Sequence, residues 1–348
     1  MFPVFLLLLT TLARAAPGEF LPVIAKPWPE TKKLSASNAA DFPRILDKIS
    51  GSLNQRPYKN GPLGEENGED PDPLYRLDVF DCTTYLETVM ANALCTRFGT
   101  ASPKCLREKM QAIRYSGEET SFATRNHIPE IDWLPNNAKR GFIKDLRESF
   151  FPEAKEWKHA VPTMDREAWL ATKMKKPPLK TRTASPPPLN YLPVSFFFEP
   201  VPMEEKELLA LKTALAATKK EIEEKKKLPT TTDEDKAELD IDSFRADLDF
   251  LRKTQRPLEP KIRAIPSGTV LNLVHAPLKD KAKDKLSPMI THQGLILQLP
   301  EGTYIRHAAP NNKHVSSQRL DDYLRRYVRS ANYRGISLFQ LLPPPDPN

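Results

Sequence analysis

Cys82, His292 and His307 are residue types from which a thiol-based acyl-transfer site can be built. That chemistry needs a thiol with a lowered pKa, a base within hydrogen-bond reach and a group that orients the base. Cys82 opens a segment running to Phe98 in which Leu86, Val89, Met90 and Ala93 share one helical face. A helix start presents unsatisfied backbone N–H groups and the positive end of the dipole, which favour a thiolate and can hold an oxyanion. Asp78 and Asp81 oppose this by raising the thiol pKa, so a cationic partner is required. His292 begins the apolar run HQGLIL, and His307 lies on the return strand of THQGLILQLPEGTYIRHAA, which turns around Glu301-Gly302. A two-residue turn sets His307 across from a position within roughly three residues of His292, so both imidazoles reach one end of one sheet. Gly294 leaves room for another backbone or a substrate to approach. Each residue alone has a plainer reading as a core cysteine or a satisfied histidine. The combination favours a Cys-His-His set.

The surrounding composition suits that chemistry. Residues 1–16 hold an apolar run from Phe2 to Leu12 followed by Ala13-Arg14-Ala15, the small-x-small pattern of a signal peptide. The expected location is therefore outside the cytoplasm, periplasmic or extracellular, with no transmembrane anchor after cleavage. In an oxidising compartment three cysteines leave one thiol unpaired. Cys95 and Cys105 flank a short loop that a disulfide could close, leaving Cys82 free; the alternative is that all three are reduced and buried. Lys+Arg total 52 against Asp+Glu 45, and the pI near 9.1 suits an anionic partner. The bases are scattered among acids without interleaved aromatics, which argues against nucleic acid.

The elements that must position these residues read as α+β. A helix over Ser37 to Leu53 carries Phe42, Ile45, Leu46, Ile49 and Leu53 on one face. Tyr115 to Arg140 is polar, aromatic and aperiodic, as expected of a long functional loop, and Trp157 to Pro188 is basic, then Pro-rich and irregular. From 203 to 256, Leu208, Leu211, Leu215 and Ile222, then Ile241, Phe244, Leu248 and Leu251, repeat with heptad-like spacing on either side of the turn LPTTTDEDK. This predicts an inserted antiparallel helical hairpin between a first part of the main domain, 17–202, and a second, sheet-forming part, 257–348. The hairpin's Lys- and Glu-rich face reads as solvated surface, or as a site for a protein partner. The strands IPSGTVLNLVHA, the His292–His307 hairpin and RGISLFQLL follow, with a helix DDYLRRYVRS before the last.

The helix-start cysteine in DCTTYLETV and the hairpin HQGLILQLPEGTYIRHAA, in that order, resemble the NlpC/P60 superfamily of papain-like cell-wall hydrolases. RPYKNGPLGE, DVFDCTTYLETV, IRYSGEETSFATRNHIPEIDWLPNN, THQGLIL, IRHAA and YRGISLFQLL resemble one branch more closely, the N-acetylmuramoyl-L-alanine amidase-like or DUF1460 family. The resemblance implies a papain-like NlpC/P60 fold and a peptidoglycan or muropeptide substrate. It implies Cys82 as nucleophile, His292 as general base and acid, and His307 as the orienting member. Tyr58 resembles a tyrosine lining the oxyanion side. Arg125, Asn126, His127, Asp132 and Trp133 fall in the matching polar loop, where the arginine could grip a carboxylate and the tryptophan stack on a sugar, or where all five could tie the loop down. The hairpin at 203–256 has no counterpart in the family.

Other readings remain open to test. No tight metal spacing such as HExxH occurs, so neither a metal nor another cofactor is expected; a zinc site would have to draw on His127, Asp132, His292 or His307 from distant segments. A non-catalytic wall-binding scaffold using the hairpin, or a hydrolase or acyltransferase on another amide or ester, are the further alternatives.

Overall fold

The computed structural model describes residues 41–63, 76–96, 102–117, 119–176, 186–200, 203–254, 258–260, 265–278 and 280–343. The signal peptide, the start of the first helix and much of the Pro-rich run fall outside these residues. The chain divides into two compact units, Met1–Val194 with Ala264–Asn348, and Ser195–Arg263.

Helices and an antiparallel sheet build the first unit. Six strands lie in the spatial order Ile143–Asp145, Tyr333–Leu341, Thr269–His275, Ile290–Leu299, Gly302–Ala309 and His314–Arg319. All pair antiparallel. Alternate residues of each strand meet the helices. Leu295 and Leu297, Ala308 and Val315 join one apolar cluster with Leu46 and Ile49 of helix Phe42–Ser52 and with Leu86, Val89 and Met90 of helix Cys82–Thr96. Burying such side chains contributes roughly 1.5–3 kcal/mol each. Thirteen of the fifteen residues of Cys82–Thr96 are buried, so the helix runs through the core and leaves its first turn at the rim.

Two charges are carried into this interior as pairs. Arg114 of helix Pro103–Arg114 meets Glu87 at 2.7 Å, with both side chains almost fully buried. Arg306 donates to the Asp47 carbonyl and carboxylate and to Ser50 Oγ, fixing the first helix to strand Gly302–Ala309. Pairing satisfies the buried groups, and removing one partner leaves an uncompensated charge.

Several elements differ from the sequence reading. Of Tyr115 to Arg140, the described residues as far as Ile128 form turns and bends, as read, but the rest is a π-helical turn, Pro129–Trp133, running into helix Leu134–Lys139. Pro129 through Leu134 are all buried, so no polar face alternates with an apolar one and the segment shows no period. Within Trp157 to Pro188 lie strand Lys158–Ala160 and helix Arg166–Met174, whose start is capped by Asp165 accepting from the Ala168 N–H. The last helix is shorter than DDYLRRYVRS, covering Leu320–Arg325. The hairpin turn sits at Pro300-Glu301, because Leu299 pairs with Gly302.

The second unit holds helices Glu205–Lys226 and Asp233–Thr254. Lys219 meets Asp247 at 2.8 Å and Lys226 meets Asp240 at 2.6 Å, so the helices run in opposite directions. Ile222 is buried. Among the described residues no helix is long and apolar enough to cross a membrane.

Candidate functional site

Cys82 is the first residue of its helix, and the preceding Asp81 supplies the cap. Asp81 Oδ1 accepts from the Thr84 N–H and hydroxyl, both at 2.8 Å, while Thr84 Oγ1 accepts from the Asp81 N–H at 3.0 Å. That reciprocal cap is a reason for an acid beside the nucleophile candidate. Asp78 is drawn off by Arg76, which it meets at 2.5 Å. The helix start is then pinned to the middle of the sheet. Thr83 Oγ1 donates to Gln293 Oε1 at 2.8 Å, Gln293 Nε2 donates to Asn272 Oδ1 at 2.8 Å, and Asn272 Nδ2 donates to the Ser337 carbonyl. Gln293, Asn272 and Ser337 are wholly buried, and they fix Cys82 against the strand that carries His292.

On that strand the register explains the histidine pair. Leu295 pairs with Arg306, which sets Gly294 beside His307 and makes His292 its diagonal neighbour on the same face. A Cβ on Gly294 would lie 2.6 Å from Ile305 Cδ1 and 3.2 Å from His307 Cβ, so the space the glycine leaves is filled by the neighbouring strand. His292 Nε2 and His307 Nδ1 stand 2.5 Å apart, and Gln318 Nε2 reaches His307 Nε2 at 2.6 Å. Arg326 donates to Gln318 Oε1. Tyr323, on helix Leu320–Arg325, packs its ring 6.3 Å from His292 and 5.3 Å from His307. These groups surround a cavity of about 210 Å³. A second cavity, of about 290 Å³, lies over Glu130 and Met289 and shares Thr291 with the first.

Burial governs the protonation of the site. It pushes the Cys82 thiol up to about 11, with Asp81 adding to the shift and the Gln293 backbone N–H opposing it. His292 is pushed down to about 4 by burial, and His307 is lowered by burial, by His292 and by Arg326. With these shifts the thiol and both imidazoles rest neutral near pH 7. Among the described residues no hydrogen bond joins the Cys82 sulfur to either ring; its neighbours are Thr83 Oγ1 at 3.9 Å and the Gln293 backbone. Unliganded sites are often looser than reacting ones.

The other residues singled out by sequence take different places. Tyr58 bridges to Phe80, two residues before Cys82, and its N–H donates to the Lys313 carbonyl at 2.8 Å, so its backbone lies beside the approach to the nucleophile helix. Cys95 and Cys105 form a disulfide, and Cys82 is the free thiol. Arg125, Asn126, His127, Asp132 and Trp133 do not line the cavity at the histidines. Asp132 takes Arg166 Nε on both oxygens at 2.8 Å, Asn126 donates to the Ile113 carbonyl, and His127 bonds the Phe122 carbonyl between Phe122 and Trp169. Trp133 is fully buried and Arg125 nearly so. Asp132, Asn126 and His127 spend these hydrogen bonds on the protein itself, as the loop-tying reading expects, while the buried Trp133 Nε1–H has no hydrogen-bond partner among the described residues. Among the described residues no group of three His, Cys, Asp or Glu gathers to hold a metal.

Sequence reasoning missed Gln293, Gln318, Tyr323 and Arg326. Gln293 is adjacent to His292, and Gln318 lies on strand His314–Arg319 two residues beyond Ser316, the partner of His307. Recognising that strand would have placed Gln318 on the histidine face.

A family model described as N-acetylmuramoyl-L-alanine amidase-like matches residues 48–332. The chain belongs to that family. The match spans the Cys82 helix and both histidines, and membership supports a hydrolase. Among solved structures, protein LPG0564 of Legionella pneumophila str. Philadelphia 1, a DUF1460 member, is 22% identical with a TM-score of 0.59, over 87% of this chain and 89% of its own. An N-acetylmuramoyl-L-alanine amidase of Bacteroides uniformis is 17% identical with a TM-score of 0.51, over 87% and 99%. At these identities the likeness carries the fold. No curated protein matches the chain.

Proposed function

We propose that the protein is a secreted cysteine amidase acting on peptidoglycan, at the muramoyl-L-alanine amide or within the stem peptide, on a papain-like NlpC/P60 fold interrupted by a helical hairpin. The carrying observation is the hydrogen-bonded His292–His307 pair, of which His292 lies on the strand to which the Cys82 helix start is pinned. Cys82 Sγ attacks the amide carbonyl as His292 takes the thiol proton; the C–S bond forms while the oxygen charge develops toward backbone N–H groups at the helix start. His292 then gives that proton to the leaving nitrogen, the C–N bond breaks, and an acyl-enzyme remains. Water, deprotonated by His292, releases the acyl group as a carboxylic acid. His307 orients His292, and Tyr58 borders the oxyanion side.

The test incubates purified mature protein and its Cys82→Ala variant with peptidoglycan sacculi and identifies released fragments by mass spectrometry. Free stem peptides from the wild type alone would identify the muramoyl-alanine bond, and fragments cut inside the stem would make the same residues an endopeptidase. Equal release by both proteins would falsify cysteine catalysis. Secretion is checked separately, by finding the mature amino terminus near residue 17 in material exported from cells.

A scaffold reading rests on the second unit, where Leu209 is 63% and Ile241 52% exposed on the helix pair. A Cys82→Ala protein that kept its whole biological effect would favour it.

A further inference from the structure

Arg326 sits exposed beside the histidine cavity, and its partner Gln318 bears on the tautomers of the two rings behind it. A guanidinium has five N–H groups and no acceptor, so the Gln318 atom that faces Arg326 must be the oxygen. That leaves the Gln318 NH₂ toward His307 Nε2, at 2.6 Å, and His307 Nε2 must accept. Neutral His307 therefore carries its proton on Nδ1 and donates it across 2.5 Å to His292 Nε2. His292, also neutral, then carries its own proton on Nδ1. A general base needs a bare nitrogen facing the group it deprotonates. In this tautomer His292 has none to offer: Nε2 is engaged by His307 and Nδ1 is protonated.

We propose that Arg326 and Gln318 form a ligand-sensed switch on the base, holding His292 in the idle tautomer until a carboxylate of the substrate draws Arg326 away from Gln318. The inference rests on His292 being the base of the amidase reaction. Arg326 carries the permanent charge among the described residues lining the cavity, and none of those residues is acidic. A carboxylate accepts two N–H bonds from a guanidinium, each about twice as strong as one to a neutral amide oxygen. Once released, Gln318 can turn its amide by half a turn. Its oxygen then accepts from His307 Nε2–H, His307 Nδ1 accepts from His292 Nε2–H, and His292 Nδ1 is bare. Protons balance: the His307 Nδ1 proton crosses to His292 Nε2, His292 loses its Nδ1 proton to water, and His307 gains one at Nε2 from water. Tyr323, Tyr327 and Tyr333 also line the cavity, and Cys82 acts electrostatically on Tyr323. A stem peptide carries carboxylates, so the switch would couple base activation to recognition. Arg326 and Gln318 are positioning residues in this scheme.

Histidine-selective ¹⁵N–¹H correlation spectra of the full-length mature protein report the tautomers directly. In the unliganded wild type, Nδ1–H is expected on both rings; N-acetyl-L-alanine, as a carboxylate probe, should move both toward Nε2–H. Gln318→Glu offers only acceptors and should impose Nε2–H without the probe, raising iodoacetamide alkylation of Cys82 near neutral pH by about tenfold. Arg326→Met should remove the response to the probe. Finding Nε2–H on His307 in the unliganded wild type would overturn the proposal, as would a Gln318→Glu protein with unchanged tautomers and alkylation. Tautomers that behave as described in a protein inert on sacculi would sink the peptidoglycan reading and leave the switch. Cleaved sacculi with His307 already in the Nε2–H form would do the reverse.

Discussion

Two regions of this molecule gather buried polar and aromatic side chains, and they end in opposite states. In the segment from Arg125 to Trp133, the hydrogen bonds of three side chains close on the protein, Asp132 matched by Arg166, Asn126 by the Ile113 carbonyl and His127 by the Phe122 carbonyl, and only the buried Trp133 indole N–H lacks a partner among the described side chains of that segment. At the sheet end, the chain Arg326–Gln318–His307–His292 runs from an exposed cation inward and ends at a ring facing a cavity. A closed network stabilises a shape; an open-ended one leaves a group able to bond something that is not protein. The same residue types therefore do structural work in one place and can do chemistry in the other.

Substitution separates the two. Cys82→Ala or His292→Ala should lower the turnover of any amide substrate by at least about 10⁴-fold with little change in the melting temperature. Steady-state rates and thermal melts on the same preparations check both halves. Asp132→Ala should do the opposite, leaving the Arg166 charge buried without its carboxylate and costing about 3–5 kcal/mol of stability. Denaturant unfolding measures that loss, and activity should fall only with the folded fraction. A stable Asp132→Ala protein that had lost turnover would break the distinction and return the segment to the site.

A smaller effect tests the glycine between the histidines. Gly294→Ala would place a methyl 2.6 Å from Ile305 Cδ1, and crowding of this kind costs about 1–3 kcal/mol. Because the same methyl comes within 3.2 Å of His307 Cβ, turnover should fall further than stability does. An unchanged rate would show that the spacing of the two strands does not set the histidine pair.

What was legible in advance follows the same division. The hairpin pattern and its short turn bring His292 and His307 together because side chains alternate on strands, and that rule needs no tertiary information. Cys82 at a helix start was readable from the apolar face that follows it. The Arg125–Trp133 segment was not, because burial on every side erases the periodicity that reveals a helix. Gln318 was hidden for another reason: HVSSQR is polar at every position but Val315, so no alternation marks a face, and only pairing with Gly302–Ala309 shows which residues meet His307. Arg326 follows helix Leu320–Arg325, and only the tertiary structure shows that it borders the cavity.

Acid should act on the open-ended network through stability. His292 is lowered from 6.5 to about 4, so its folded form resists a proton that the unfolded chain accepts. The stabilisation is complete above the unfolded value and is lost as pH falls through the folded one. By about pH 5 the loss amounts to about 2 kcal/mol, from one pKa unit being worth about 1.4 kcal/mol. His307 and His127, both lowered chiefly by burial, steepen the same limb, so the test compares the wild type with His292→Gln. Between neutral pH and pH 5 the wild-type guanidinium midpoint should fall more than that of His292→Gln if His292 carries its share. Parallel curves would mean that the ring accepts a proton in the folded state without penalty, and that the histidine pair is more open to water than its burial implies.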